Sequence, residues 1–160
     1  MSKFVINNPA FLSMAGNVGS SVGTFYIEAI EDSTTITFGY PTYTQISKND
    51  IDYEYASESM VINAGEKIYI KFDSVVIAGE EFPAEVSADK IFNAGGNCPS
   101  FTYKYEESGE IIEYETYVSF YESLIYDASK LVIDLPSTIQ AIRMFYDCTS
   151  LVNAPKLPAT

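Results

Sequence analysis

The sequence predicts a mainly β protein: an antiparallel β-sandwich or small barrel, followed by the start of a repeat solenoid. Three observations carry this. Short segments rich in β-branched and aromatic residues alternate apolar and polar positions, with turn signals about every 8 to 12 residues. No stretch before residue 119 carries a helical apolar stripe. Near its C-terminus the chain repeats itself, since LIYDASKLV at 124–132 is answered by MFYDCTSLV at 144–152, and Leu135-Pro136-Ser137-Thr138 by Leu157-Pro158-Ala159-Thr160. The period, about 20 to 22 residues, lies in the range of leucine-rich solenoids.

Residues 1–23 are rich in Asn, Gly and Ser and read as an extended arm with two sets of apolar anchors, Phe4-Val5-Ile6 and Phe11-Leu12. Residues 24–118 read as the antiparallel β domain. Thr24 to Ile30 forms a strand, Glu31-Asp32-Ser33 turns it, and Thr34 to Phe38 returns with β-branched residues. After Gly39-Tyr40-Pro41, Ile51 to Tyr55 alternates apolar and acidic positions. Met60-Val61-Ile62 leads through Asn63-Ala64-Gly65-Glu66 into Lys67 to Phe72, a segment of period two. Phe101 to Tyr105 and Ile111 to Val118 flank Glu106 to Glu110 as a hairpin, with Gly109 free to take positive φ. Ile27, Ile36, Phe38, Ile68, Ile70, Phe101 and Tyr103 are the expected core. Residues 119–160, where Leu, Pro, Asp and Thr replace the aromatic alternation, hold two repeat units, the first degenerate and the second truncated.

Composition excludes several function classes. The 160 residues are 47% hydrophobic and 19% charged, which disfavours disorder, and a chain this long can bury a sizeable core without staples. The net charge of −13, with 9 Lys plus Arg, argues against nucleic acid and against an anionic membrane surface. No segment approaches a membrane span or an export signal. Cys98 and Cys148 form no disulfide framework and read as reduced, buried thiols. The absence of His removes the commonest base and metal ligand, and with it a Ser-His-Asp triad.

The last segment resembles the BspA-type leucine-rich repeat. Met144, Phe145, Cys148, Thr149, Ser150, Leu151, Pro155, Leu157 and Pro158 match its unit; in the earlier unit Ala128 stands where Cys would be and Lys130 where Ser would be, as suits a capping repeat. FYIEAIEDSTTITF, INAGEKIYIKF and FNAGGNCPSF are similar to the small β domain that often precedes such repeats, although the Trp usual there is missing. The resemblance implies surface recognition and adhesion, by surface proteins of gut anaerobes or virion proteins of their phages. It implies no catalytic residues, cofactor or metal. The expected repeat core is Leu131, Phe145, Cys148, Leu151 and Leu157.

Other chemistry is weaker. Glu80-Glu81, Glu106-Glu107, Glu110, Glu113 and Glu115 read as a solvated face, with Glu113 and Glu115 on a strand that pairs with the one carrying Lys104; no loop of calcium-binding spacing accompanies them. Gly95-Gly96, within Asn93 to Asn97, reads as a turn and not a phosphate loop. Tyr40, Tyr43, Tyr53, Tyr55, Tyr103, Tyr105, Tyr114 and Tyr117 serve a core or subunit interface, or else a ligand platform.

The function expected is therefore non-enzymatic: a structural and attachment protein of a phage particle, the anchoring part of a fibre or decoration protein, with repeats projecting for recognition. The chain opens Met-Ser-Lys without an export signal, although the family acts outside cells. The alternative is a bacterial cell-surface adhesin fragment binding host protein or glycan. Partners expected are further copies of the chain, with a trimer favoured, and other virion proteins or a host-surface ligand. Phe4, Val5, Ile6, Phe11 and Leu12 are the expected anchors.

Overall fold

The computed structural model describes residues 23–73, 75–76, 86–134 and 144–156. The described chain is mainly β, and no α-helix occurs in it. Its strands are β1 (Tyr26–Ala29), β2 (Thr34–Phe38), β3 (Thr44–Ser47), β4 (Glu54–Tyr55), β5 (Ser59–Ile62), β6 (Lys67–Phe72), β7 (Val75–Val76), β8 (Val86–Ala88), β9 (Phe92–Asn97), β10 (Ser100–Glu107), β11 (Glu110–Tyr117) and β12 (Ile125–Val132). One 3-10 turn, Pro41–Tyr43, sits at the Gly-Tyr-Pro break.

Three sheets result among the described residues. The largest has the order β12-β9-β1-β6-β3-β4; the others are β5-β2-β8 and β11-β10-β7. Pairing is antiparallel except for β12 on β9 and β7 on β10. Alternation explains the strands. In β2, Thr34, Ile36 and Phe38 point inward and Thr35 and Thr37 do not; in β6, Ile68 and Ile70 are buried while Lys67, Tyr69 and Lys71 lie on the other side. The β1–β2 turn holds Ser33 at φ 55°, supported by Ser33 N–H donating to Asn63 Oδ1 (3.0 Å) and Thr34 Oγ1 donating to the Glu31 carbonyl (2.7 Å). Ser108 and Gly109 take φ 53° and 82°, the two positive values of a type I′ hairpin loop, whose twist matches that of the flanking strands. The hairpin sets Lys104 opposite Glu113, and their side chains form an ion pair at 3.5 Å.

The inner faces of the β12-to-β4 and β5-β2-β8 sheets share one apolar core, a sandwich-like arrangement. Ile27, Ile36, Phe38, Ile68 and Ile70 lie within it as expected, with Phe25, Ile62, Val86, Phe92, Phe120, Ile125 and Leu131. Each such side chain contributes about 1.5–3 kcal/mol by leaving water. The side chains of Phe101 and Tyr103 lie outside the described residues, as do all of residues 1–22.

One expectation is corrected. Asn93 to Asn97 is no turn but part of β9, which sits between β1 and β12. Its glycines are there for space. A side chain on Gly95 would collide with the Tyr26 ring, which lies across it; one on Gly96, at φ 80°, would collide with the Thr24 carbonyl. Adjacent glycines therefore mark a close approach inside a sheet.

Candidate functional site

Two surfaces emerge from these elements: a pair of stacked chain segments at one end of the large sheet, and the outer face of that sheet.

The stack begins with local sequence. Phe120-Tyr121-Glu122-Ser123 and Phe145-Tyr146-Asp147-Cys148 fold into the same turn. Glu122 and Asp147 have φ 56° and 57°, and Ser123 N–H donates to the Phe120 carbonyl (2.9 Å) as Cys148 N–H does to that of Phe145 (3.3 Å). The turns then stack. The Phe120 and Phe145 rings lie 5.4 Å apart at 11°, and Tyr121 and Tyr146 repeat both values. Phe120 N–H donates to the Met144 carbonyl and Glu122 N–H to that of Tyr146, both at 2.8 Å. The Cys148 thiol donates to the Phe120 carbonyl (2.9 Å) and lies 3.8 Å from Ser123 Oγ. Further along, Val152 N–H bonds the Tyr126 carbonyl, Ala128 N–H that of Asn153, and Lys156 N–H that of Leu131 (2.8–2.9 Å), with parallel bridges at Asp127–Asn153 and Val132–Lys156.

The register differs from the one legible in the letters. Sequence identity pairs Tyr126 with Tyr146 and Asp127 with Asp147, but the fold pairs Tyr121 with Tyr146 and Glu122 with Asp147, an offset of 25 residues. The physical reason is that LIYDASKLV is largely strand β12, whereas MFYDCTSLV opens with a turn. Irregularities in the β12–β9 pairing, between Ile125 and Asp127 and again between Asp127 and Lys130, take up additional residues. A signal for the true register was present in Phe-Tyr-acid-Ser/Cys, which is shorter than the misleading match.

Of the expected repeat core, Leu131 is fully buried, and Phe145, Cys148 and Leu151 are partly buried against the common core. Leu157 and the anchors Phe4, Val5, Ile6, Phe11 and Leu12 lie outside the described residues. Cys98 is buried, and neither cysteine is in a disulfide. Tyr126, Tyr146 and Val152 are exposed.

The outer face of the large sheet carries tyrosines and charges in register. One row across the strands reads Asp127, Asn93, Glu28, Lys67; the next reads Lys130, Gly95, Tyr26, Tyr69, Ser47. Tyr26 and Tyr69 meet edge to face, with centroids 5.8 Å apart. Lys67 Nζ lies 4.5 Å above the Tyr26 ring, and Lys71 Nζ 4.1 Å above that of Tyr53. Burial raises the Tyr26 phenol above its usual range, opposed by Lys67. Burial, together with a hydrogen bond to Asp50, pushes Tyr53 up to about 12. Tyr55 donates to Asp73 (2.7 Å), which also accepts from Gln45 (3.0 Å). The Asp127 carboxylate is held below its ordinary range chiefly by the Ser129 N–H, at 2.8 Å.

Among the tyrosines singled out from sequence, Tyr53 and Tyr55 reach this outer region, Tyr117 is core, Tyr40 and Tyr43 are half-buried, and the side chains of Tyr103, Tyr105 and Tyr114 lie outside the described residues. Tyr26 and Tyr69 were missed. Their signal was the alternation itself: in YIEA and KIYIKF the positions between the isoleucines must face outward. Glu106, Glu107, Glu110, Glu113 and Glu115 are exposed along the hairpin.

Comparison with family models, with curated proteins and with solved structures returned no match.

Proposed function

We propose that the chain is a non-enzymatic structural and attachment protein of a phage particle, the anchoring part of a fibre or decoration protein. In this reading the β domain is a base from which a leucine-rich solenoid starts and projects for surface recognition. The observation that supports it is the stacking at offset 25, with face-to-face rings and parallel backbone hydrogen bonds between 120–133 and 144–156. A unit of this size cannot bury its apolar face alone, and stacking on a neighbour supplies the missing partner. The first unit leans on β9 through β12, which closes the solenoid's near end. Leu131, Phe145, Cys148, Leu151 and Leu157 form the repeat interior in this account. Residues 1–23, through Phe4, Val5, Ile6, Phe11 and Leu12, attach the protein to its neighbours in a homo-oligomer, with a trimer favoured.

The second reading is a bacterial cell-surface adhesin fragment, favoured by the solvent-facing Tyr126, Tyr146 and Val152 on the stacked segments. Deleting residues 2–20, then sizing the protein and assaying its incorporation into particles, separates the two. The virion reading expects the intact protein to oligomerise and enter particles and the shortened one to do neither. Incorporation of the shortened protein removes the anchoring role. An intact monomer that enters no particle removes the virion reading and leaves the adhesin.

A further inference from the structure

The outer face of the large sheet is unlike a protein–protein contact. Protein interfaces draw their affinity from apolar or aromatic anchors seated in desolvated pockets. The two rows centred on Tyr26 present no aliphatic side chain. They offer two half-buried phenol rings, flanked by carboxylate, amide, carboxylate and ammonium on four neighbouring strands: Asp127, Asn93, Glu28 and Lys67. Strands lie about 4.8 Å apart, the scale of a sugar ring. Charges on the rows balance, Lys67 and Lys130 against Glu28 and Asp127, which gives a charged polymer no purchase on a chain of net charge −13.

One acceptor on this face has capacity to spare. Among the described residues the half-buried Glu28 carboxylate accepts only a long contact, 3.5 Å, from the Asn93 amide nitrogen. A carboxylate offers about four lone-pair sites, so Glu28 can take further donors. The Lys67 ammonium covering Tyr26 is a weak, displaceable lid, because a cation over a ring at an exposed site binds little and its flexible stem can swing aside.

We infer that this face binds a neutral saccharide, whose C–H surface stacks on Tyr26 and Tyr69 while its hydroxyls donate to Glu28 and Asp127 and accept from Lys67. The ligand matches the face group by group: an apolar patch for the rings, and O–H donors for a row made mostly of acceptors. Asp127 lies on the first stacked segment, but Tyr26, Glu28, Lys67 and Tyr69 lie on β1 and β6 outside the stack, and sugar binding is read without particle entry, so this inference and the virion reading stand or fall separately.

The test titrates the full chain with neutral hexasaccharides of glucose, mannose, galactose and N-acetylglucosamine, and with a sulfated hexasaccharide, followed by amide NMR shifts and calorimetry. At least one neutral hexasaccharide is expected to bind with Kd of about 1 mM or tighter, shifting the amides of β1, β6 and β9. Tyr69→Ala and Glu28→Gln are expected to weaken it about tenfold or more, a loss of about 1.4 kcal/mol. Tyr26→Phe keeps the ring over Gly95 and retains binding, and Val61→Ser on β5 leaves it unchanged. The inference is overturned if no neutral sugar shifts these amides at about 10 mM, or if only the sulfated sugar binds. It is overturned equally if the sugar-binding variants, folded by circular dichroism, bind as the parent does, or if they alter only self-association in sedimentation.

Discussion

Truncating Phe120 to alanine tests most directly whether the stacked segments belong to the same cooperative unit as the β domain. Phe120 is 0% exposed. Its ring meets Phe25 at 6.0 Å and 65°, Phe92 at 6.3 Å, and Phe145 at 5.4 Å and 11°. It thus joins the chain just before β1, strand β9 and the second stacked segment. Removing a fully buried phenyl costs about 3–5 kcal/mol, through lost transfer energy and the cavity left behind. Against a typical total of about 5–15 kcal/mol that is about a fifth or more of the stability. At roughly 2–4 °C per kcal/mol for a chain near this size, Tm falls by about 6–20 °C. Urea unfolding followed by circular dichroism and tyrosine emission reads the loss, the chain having no Trp. Hydrogen exchange localises it. The amides of Val152 and Lys156, which bond across to Tyr126 and Leu131, lose more protection than that of Ile70, which bonds Phe25. A loss below about 1 kcal/mol with unchanged protection at Val152 and Lys156 would refute the reasoning, since a core phenyl cannot be removed that cheaply. Phe120→Leu should recover much of the loss.

Three further outcomes are expected. Glu122 sits at φ 56°, where a side chain is strained, so Glu122→Gly should stabilise by up to about 1 kcal/mol and Glu122→Val should destabilise, both read by thermal denaturation. Cys148→Ser keeps a donor for the Phe120 carbonyl and should cost less than Cys148→Ala, which should lose about 1 kcal/mol; thiol titration of the denatured parent should find both cysteines reactive. Tyr53 has its folded pKa raised from 10.0 to about 12, so its contribution is complete below about pH 10 and is lost as pH rises through 12. Alkaline unfolding should steepen in that window, Tyr53→Phe should remove part of the slope, and absorbance at 295 nm should show late-ionising phenols; uniform ionisation near 10 would contradict it.

The local elements were legible from sequence because their causes are local. Thr34–Phe38 and Lys67–Phe72 are strands since alternate side chains must face opposite sides, and the bounds read from sequence agree with those observed. Gly109 announced its hairpin because a two-residue loop of positive φ matches strand twist and glycine takes positive φ without a steric cost. Lys104 and Glu113 declared their pairing through opposite charge on facing strands. The same alternation held the outward facing of Tyr26 and Tyr69, although neither was singled out from it.

Tertiary contacts decided the remainder. Gly95 and Gly96 look like a turn in one dimension, and only the Tyr26 ring and the Thr24 carbonyl lying against them show that they belong inside a sheet. LIYDASKLV and MFYDCTSLV look like one unit written twice, yet β9 is available to pair the first into a strand, whereas the second opens with a turn laid against the turn at Phe120–Ser123. Backbone conformation follows the hydrogen-bond partners that neighbouring chain offers, and letters alone do not name those partners. For the same reason composition could supply 13 tyrosines but not the row that sets Tyr26 beside Tyr69: alternation gives the side of a strand on which a residue lies, and only the order and register of the strands decide what lies next to it.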